Sequence, residues 1–219
     1  DRRLGGGLPV NRVVLVYGPK GCFKTTMALR AVANWQKRCG LCLEYREKCT
    51  CQPLAEGAVK PSIAVFIDSE HALDEGHATS RLGVDPERFY IVRPPNGEAA
   101  CEYAERLAKV PDVGMIIQDS LASLVPEAEL EKGFMDPIAR GLRARLIARM
   151  YRAMITNIDS VQFPRLCIML NHMLPNQDGK GGHILPGGET QKYLSSVVLR
   201  MTATNKAEHR IRVKKDGEE

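Results

Sequence analysis

Aromatic residues make up only 5% of this 219-residue chain, with a single tryptophan. That is too few for a surface that reads nucleic-acid bases mainly by stacking. No apolar run approaches the roughly 20 residues that a membrane-spanning helix needs, and the first residues lack the charged-then-apolar order of a secretory leader. A cytoplasmic location, in a cell or an infected host, and no membrane partner are therefore expected. Neither sign of charge dominates: 31 Lys and Arg against 26 Asp and Glu leave a net +5, with a pI near 8.8. Such a balance permits a polyanionic partner without requiring one. What is plentiful is apolar content, 44% of the chain, enough at this length to bury a sizeable core. Strand-like runs alternate with helical patterns, which predicts an α/β fold with parallel strands and helices on both faces, in one domain over residues 1–219.

The segment Val16 to Ala28 reads VYGPKGCFKTTMA. The run Val13 to Tyr17 has the length and β-branched content of a buried parallel strand, and Ala28, Ala31, Val32 and Trp35 recur at helical spacing. A strand thus feeds a helix N-terminus through a tight loop, where unpaired backbone N–H groups and the helix dipole hold phosphate. Gly18, Pro19, Lys20, Gly21, Cys22, Phe23, Lys24, Thr25 and Thr26 form this predicted triphosphate cradle, with Lys24 reaching the β and γ phosphates and the Thr25 hydroxyl ligating magnesium. The phosphate-loop pattern wants glycine where this chain has Phe23. Phenylalanine adopts glycine's positive φ only at a cost. Either the loop uses a conformation open to an L-residue, or the site is damaged.

Two more apolar runs end in acids: Ile63 to Ile67 before Asp68-Ser69-Glu70, and Val113 to Gln118 before Asp119-Ser120. In an open α/β sheet the carboxyl ends of the strands face the ligand crevice. There Asp119 is expected to support magnesium and Glu70 to orient the water attacking the γ-phosphate. Strand-end acids also cap helices, so each acid alone has that plainer explanation.

The blocks Phe66 to Asp74, Leu82 to Asp85, Gln118 to Glu129 and Pro186 to Tyr193, followed by Leu194 to Met201, resemble the ATPase core of RecA-type recombinases. The similarity runs in order from Leu4 to about Lys214. Phe23 before the loop lysine, and His172 in Leu170-Asn-His-Met, resemble the phage UvsX-type branch, whose Phe-Lys pairing belongs to active ATPases. The resemblance implies a RecA-like P-loop NTPase core, a mostly parallel twisted sheet with helices on both faces. It further implies a DNA-dependent ATPase that converts ATP to ADP and phosphate, assembles as a helical filament on single-stranded DNA, and exchanges strands with duplex DNA. Mediator or single-strand-binding proteins are further expected partners. Two other functions stay open: a RecA-like motor or regulator of the branch-migration type without strand exchange, and a DNA-binding filament protein that does not hydrolyse ATP. The ends read as those of a trimmed core, with a late strand at His209 to Lys214.

By the same resemblance His172 senses the γ-phosphate at the root of the second DNA-binding loop, Met173 to Thr190, a glycine-rich stretch carrying Lys180 that is expensive to order alone. The first DNA-binding loop and its following helix bring Arg140, Arg143, Arg145, Arg149 and Arg152. Of these, Arg145, Arg149 and Arg152 share one helical face, either a stripe for backbone phosphates or a solvated surface. Lys214 or Lys215 is carried over as a residue reaching the γ-phosphate across an interface, and His77 stands near the family's adenine-stacking position.

Four of the seven cysteines fall in one window, Cys39, Cys42, Cys49 and Cys51, within an insertion at about residues 39–61. A loop this long, with Pro53, Gly57 and Pro61, has little core of its own and needs a staple. Four thiolates supply one by binding zinc tetrahedrally. Disulfides, disfavoured in a reducing cytosol, and unligated thiols are the other readings. Cys101 and Cys167 are expected in the core.

Overall fold

The computed structural model describes residues 7–51, 63–132, 139–159, 163–176 and 182–202. The three apolar runs are its central strands β1 (Arg12–Gly18), β2 (Ile63–Asp68) and β4 (Val113–Asp119), joined by β5 (Leu166–His172), with β3 (Phe89–Val92) and β8 (Val197–Arg200) at the edges. The order is β3-β2-β4-β5-β1-β8, and every pairing is parallel. Runs apolar on both faces demand cover on both sides. The period-2 alternation divides them accordingly: Val13, Leu15, Val65, Ile67, Ile116, Cys167 and Met169 face one core, and Val14, Val16, Ala64, Phe66, Ile117, Ile168 and Leu170 the other.

The first core is covered by α3 (Gly97–Leu107) and the long α5 (Ala139–Asp159), through Ala100, Ala104, Ile147, Met150 and Met154. The second is covered by α1 (Lys24–Gln36), through Ala28, Leu29, Val32, Ala33 and Trp35. Three short helices, α2 (Glu75–Ser80), α4 (Glu127–Lys132) and α6 (Thr190–Leu194), line the connections. Cys101 and Cys167 are buried, as expected. Among the described residues no helix is long and apolar enough to cross a membrane. The expected strand at His209 to Lys214 lies outside the described residues.

A fully buried charged side chain borders this core away from the carboxyl edge of the sheet. Arg165, 1% exposed, donates to the carbonyls of Leu107, Ala108 and Val110, closing the carboxyl end of α3. The Leu107 and Val110 carbonyls also accept from the N–H groups of Val110 and Val113, at 3.1 and 3.2 Å, so the Ala108 carbonyl at the helix end depends most on the guanidinium. Replacing Arg165 by Met keeps much of the volume but takes the donor from the buried Ala108 carbonyl and removes the charge-assisted bonds to the other two, so we expect a loss of about 2–3 kcal/mol, read as a lower urea midpoint at unchanged m-value. A midpoint unchanged from wild type would show that water replaces the guanidinium.

Candidate nucleotide site at the carboxyl edge of the sheet

β1 ends at Gly18, and the chain turns through Pro19 to Phe23 into α1. Gly18 is dictated by close approach: a Cβ there would stand 2.2 Å from the carbonyl oxygen of Met201, whose own N–H donates to Tyr17 at 2.8 Å. α1 begins without a side-chain cap and without an acid in its first turn. Its first amides are thus uncontested by side chains and suited to an anion.

Phe23 resolves the alternative posed by the sequence in an unexpected way. It takes the left-handed conformation itself, φ 64° and ψ 29°, and leaves its ring 74% exposed. The loop therefore keeps the shape a glycine would give it, at a cost of roughly 1–2 kcal/mol. Phe23→Gly is expected to stabilise the ligand-free protein by about 1 kcal/mol after the entropy of glycine is offset, whereas Phe23→Ala, which keeps the Cβ, changes it by less than about 0.5 kcal/mol. Thermal melts of the two variants check this, and equal destabilisation in both would place the ring in the packing.

Lys24 is 5% exposed, and its ammonium donates to the carbonyls of Gly18 at 3.1 Å and Pro19 at 2.9 Å. It also lies 3.3 Å from Nδ1 of His172, whose Nε2 is 2.6 Å from Oε1 of Glu70. An Nε2–H imidazole satisfies both contacts, accepting from Lys24 and donating to Glu70. A continuous polar line thus joins the loop lysine to the carboxylate of the neighbouring strand. Glu70 also accepts from Ser120 and Ser123. The His172 hydrogen bond is the main reason its carboxyl is held down to about 2, against the opposing effect of burial and with help from the two hydroxyls. Neither serine was singled out from sequence, although Ser120 directly follows the strand-end acid.

The Thr25 hydroxyl donates to Oδ2 of Asp119 at 2.6 Å. Burial raises the Asp119 carboxyl to about 6, with Thr25 opposing and the Glu70 charge adding. A hydroxyl beside a buried carboxylate is a hard-oxygen donor pair of the kind magnesium takes, and a cation here relieves the desolvation that lifts this acid. The remaining strand-end acid has another task. Asp68 is 1% exposed and accepts from the N–H groups of Ala72 and Leu73, with Arg93 at 3.4 Å. It fixes the turn that carries Glu70. An open cleft of about 500 Å³ beside Glu70 is lined by Lys20, Ser69, Ser123, His172, Met173 and Leu174.

Behind His172 the strand is tied to the returning loop. Asn171, fully buried, donates to Gln191 at 2.6 Å and to the Pro186 carbonyl at 2.9 Å, and Gln191 donates to Pro186 and Gly188 at 2.7 Å. The stem of the glycine-rich loop is a short antiparallel hairpin, β6 (Leu174–Pro175) with β7 (His183–Ile184). Lys180, Lys214 and Lys215 lie outside the described residues.

Of the arginines, Arg145, Arg149 and Arg152 are exposed along α5. Arg143 instead pairs with Glu129 at 3.2 Å, so a phosphate must compete with that carboxylate. Arg140 lies in the first turn of α5. His77 is exposed on α2, its N–H capped by Asp74 at 2.9 Å.

The clustered cysteines also converge, as free thiols at the opposite end of α1 from the phosphate loop, with all four sulfurs within 4.8 Å of one another. Burial raises the Cys39 thiol, but the N–H groups of Cys42 and Leu41 and the neighbouring thiols outweigh it and bring it to about 6. Cys51 is pushed up to about 12 by the thiols of Cys42 and Cys49.

Comparison with known proteins bears on this geometry. Residues 44–216 match the family described as RecA N-terminal domain. The chain is similar to Protein RecA of Picosynechococcus sp., 36% identical over 201 residues that cover 91% of this chain and 50% of that protein. It is similar to Protein RecA of Synechocystis sp., 36% identical with 91% and 49% covered, and to that of Nostoc sp., 40% identical over 158 residues, with 72% and 38% covered. The chain spans about half the length of these curated relatives.

Proposed function

Because the chain belongs to the RecA N-terminal domain family, we propose that it is a DNA-dependent ATPase that assembles as a filament on single-stranded DNA and promotes strand exchange with homologous duplex DNA. The observation that carries the reading is the line Lys24–His172–Glu70 beside the Thr25–Asp119 pair. Phosphate binding, water positioning and magnesium support all converge on one edge of the sheet. The protein is a single ATPase core over 1–219 with a cysteine-bearing excursion, working in the cytoplasm, a host cytoplasm if the chain is viral. Phe23 before Lys24, and His172, support the phage UvsX-like branch. Mediator or single-strand-binding proteins complete the set of partners.

In the ligand-free arrangement Glu70 is restrained. A carboxylate held down to about 2 is a poor proton acceptor, since a general base works best with a pKa near the operating pH. The γ-phosphate competes for the Lys24 ammonium, which Gly18, Pro19 and His172 hold at rest. Once Lys24 turns to phosphate, His172 loses a donor and is free to reorient, and Glu70 regains basicity and aligns the attacking water. Magnesium, when bound, neutralises charge on the β and γ phosphates, and Thr25 and Asp119 are the residues that hold it. His172 follows Asn171, which is bonded to Pro186 and Gln191, so the same movement reaches the second DNA-binding loop. Coupling between two ligands is reciprocal: DNA seated on that loop also biases Glu70. Arg145, Arg149, Arg152 and Lys180 face the DNA, joined by Arg140, and by Arg143 when its pair with Glu129 opens.

The test is ATP turnover by the purified protein with and without single-stranded DNA, beside electron microscopy for filaments and strand exchange with a homologous duplex. Stimulated turnover, filaments and exchanged strands are expected. Closed rings that remodel branched DNA would instead assign a branch-migration motor, and nucleotide binding without turnover a passive filament protein.

A further inference from the structure

Four thiols that the nucleotide site does not use meet where α1 ends. Beyond Gln36 the chain turns back on itself: the Cys39 N–H donates to the Glu44 carbonyl at 2.8 Å, and the Arg46 N–H to the Lys37 carbonyl at 3.0 Å. Arg38 and Tyr45 form an isolated antiparallel bridge, with the guanidinium 4.5 Å above the Tyr45 ring. Leu43 makes the turn in the left-handed region, φ 63°. Arg46 reaches back to the Gln36 carbonyl at 3.2 Å, and the buried Gln36 amide is itself fixed by Asp85 and Arg88. Apart from Cys39 and Gly40, no residue from 38 to 51 is buried. Leu43 alone among these residues packs, half-buried, against the second core, so the excursion has little apolar contact to hold it.

The sulfurs supply what the core does not. All lie within 4.8 Å of one another, and those of Cys42 and Cys49 are 3.6 Å apart. A tetrahedron of thiolates around zinc, with bonds of about 2.3 Å, has edges of about 3.8 Å, so the four stand close to its vertices. The Leu41 N–H donates to the Cys39 sulfur at 3.4 Å, a bond that favours a thiolate there.

We propose that Cys39, Cys42, Cys49 and Cys51 bind one zinc ion in a closed tetrathiolate site that fastens residues 37–51 to the end of the phosphate-loop helix. Soft thiolates select zinc over the hard magnesium of the nucleotide pocket, and four protein ligands leave no position open for substrate, so the ion is structural. α1 separates the two metals by about 20 Å, the length of a 13-residue helix. The proposal does not depend on the recombinase reading, since nothing in it involves nucleotide or DNA.

The experiment uses the whole chain, purified without chelator. One equivalent of zinc per chain is expected by elemental analysis, and exchange for cobalt(II) should give the visible spectrum of tetrahedral thiolate coordination. Hydrogen exchange supplies the structural readout: the Cys39 and Arg46 amides should be slow with metal and fast after zinc is stripped, while amides of β1 and β5 stay protected. The double variant Cys42→Ser/Cys49→Ser should carry no metal. Should that variant fail to fold, the stoichiometry and cobalt spectrum of the unaltered protein still decide. Folded protein without metal whose Cys39 and Arg46 amides are protected, or a disulfide within the cluster found by mass, overturns the proposal.

Discussion

Replacing Glu70 by glutamine is expected to lower DNA-stimulated ATP turnover by about 10²–10⁴-fold, the usual contribution of a positioned acid or base, with nucleotide affinity nearly unchanged. The substitution is close to isosteric, and an amide oxygen still accepts from His172, Ser120 and Ser123, so the polar cluster around Oε1 survives. What disappears is the negative charge that, in the proposed reaction, aligns a water and takes up its proton. Binding measured by calorimetry and turnover measured by phosphate release separate the two effects. Equal turnover in variant and wild type would remove Glu70 from the chemistry, whatever its contacts.

Lys24→Ala should be more severe because it removes binding and chemistry together. A charge-assisted hydrogen bond to phosphate is worth about 1.5–3 kcal/mol, which corresponds to a loss of roughly 10–150-fold in nucleotide affinity, and turnover should fall below detection. Lys24→Arg is not expected to rescue it. The ammonium sits buried between the carbonyls of Gly18 and Pro19, a point-charge site that a planar guanidinium does not match. Since Lys24 also ties the empty loop together, the control is a melting curve. A variant that melts like wild type yet binds nucleotide normally would show that the cradle works through its backbone amides alone.

Much of this arrangement was legible in the residues, and for a physical reason. Strands buried on both faces leave continuous apolar runs, so β1, β2 and β4 are legible to within a residue or two of their ends, and the acids that follow β2 and β4 fall at the carboxyl edge of the sheet. The edge strands were less visible. Phe89–Val92 and Val197–Arg200 are short and half-covered, and a four-residue run gives periodicity little to work with. Phe23 leaves two readings open in the sequence because backbone preference argues against the left-handed state that the loop adopts. Three of the predicted phosphate and water ligands, Lys24, His172 and Glu70, were named separately; their hydrogen-bonded contact crosses from α1 to β5 to the end of β2, and no spacing within one segment encodes it. Arg165 and the Asn171–Gln191 pair were missed for the same cause. Polar groups buried by distant neighbours carry no local signature, and only the fold shows which carbonyls they serve. Arg143 reads as one of the clustered arginines of the first DNA-binding loop and helix, yet Glu129 claims it.

The Met201 carbonyl that rests against Gly18 makes the edge strand a stop for the phosphate loop. Sliding β8 along β1 by a single residue would move that stop about 3.3 Å, removing one brace of the loop's first hinge and leaving the bonds from Met173 and Lys24 to the Gly18 carbonyl. Any side chain added at position 18 would have to push the end of β8 aside, so the loop's entry and the edge strand can only shift together.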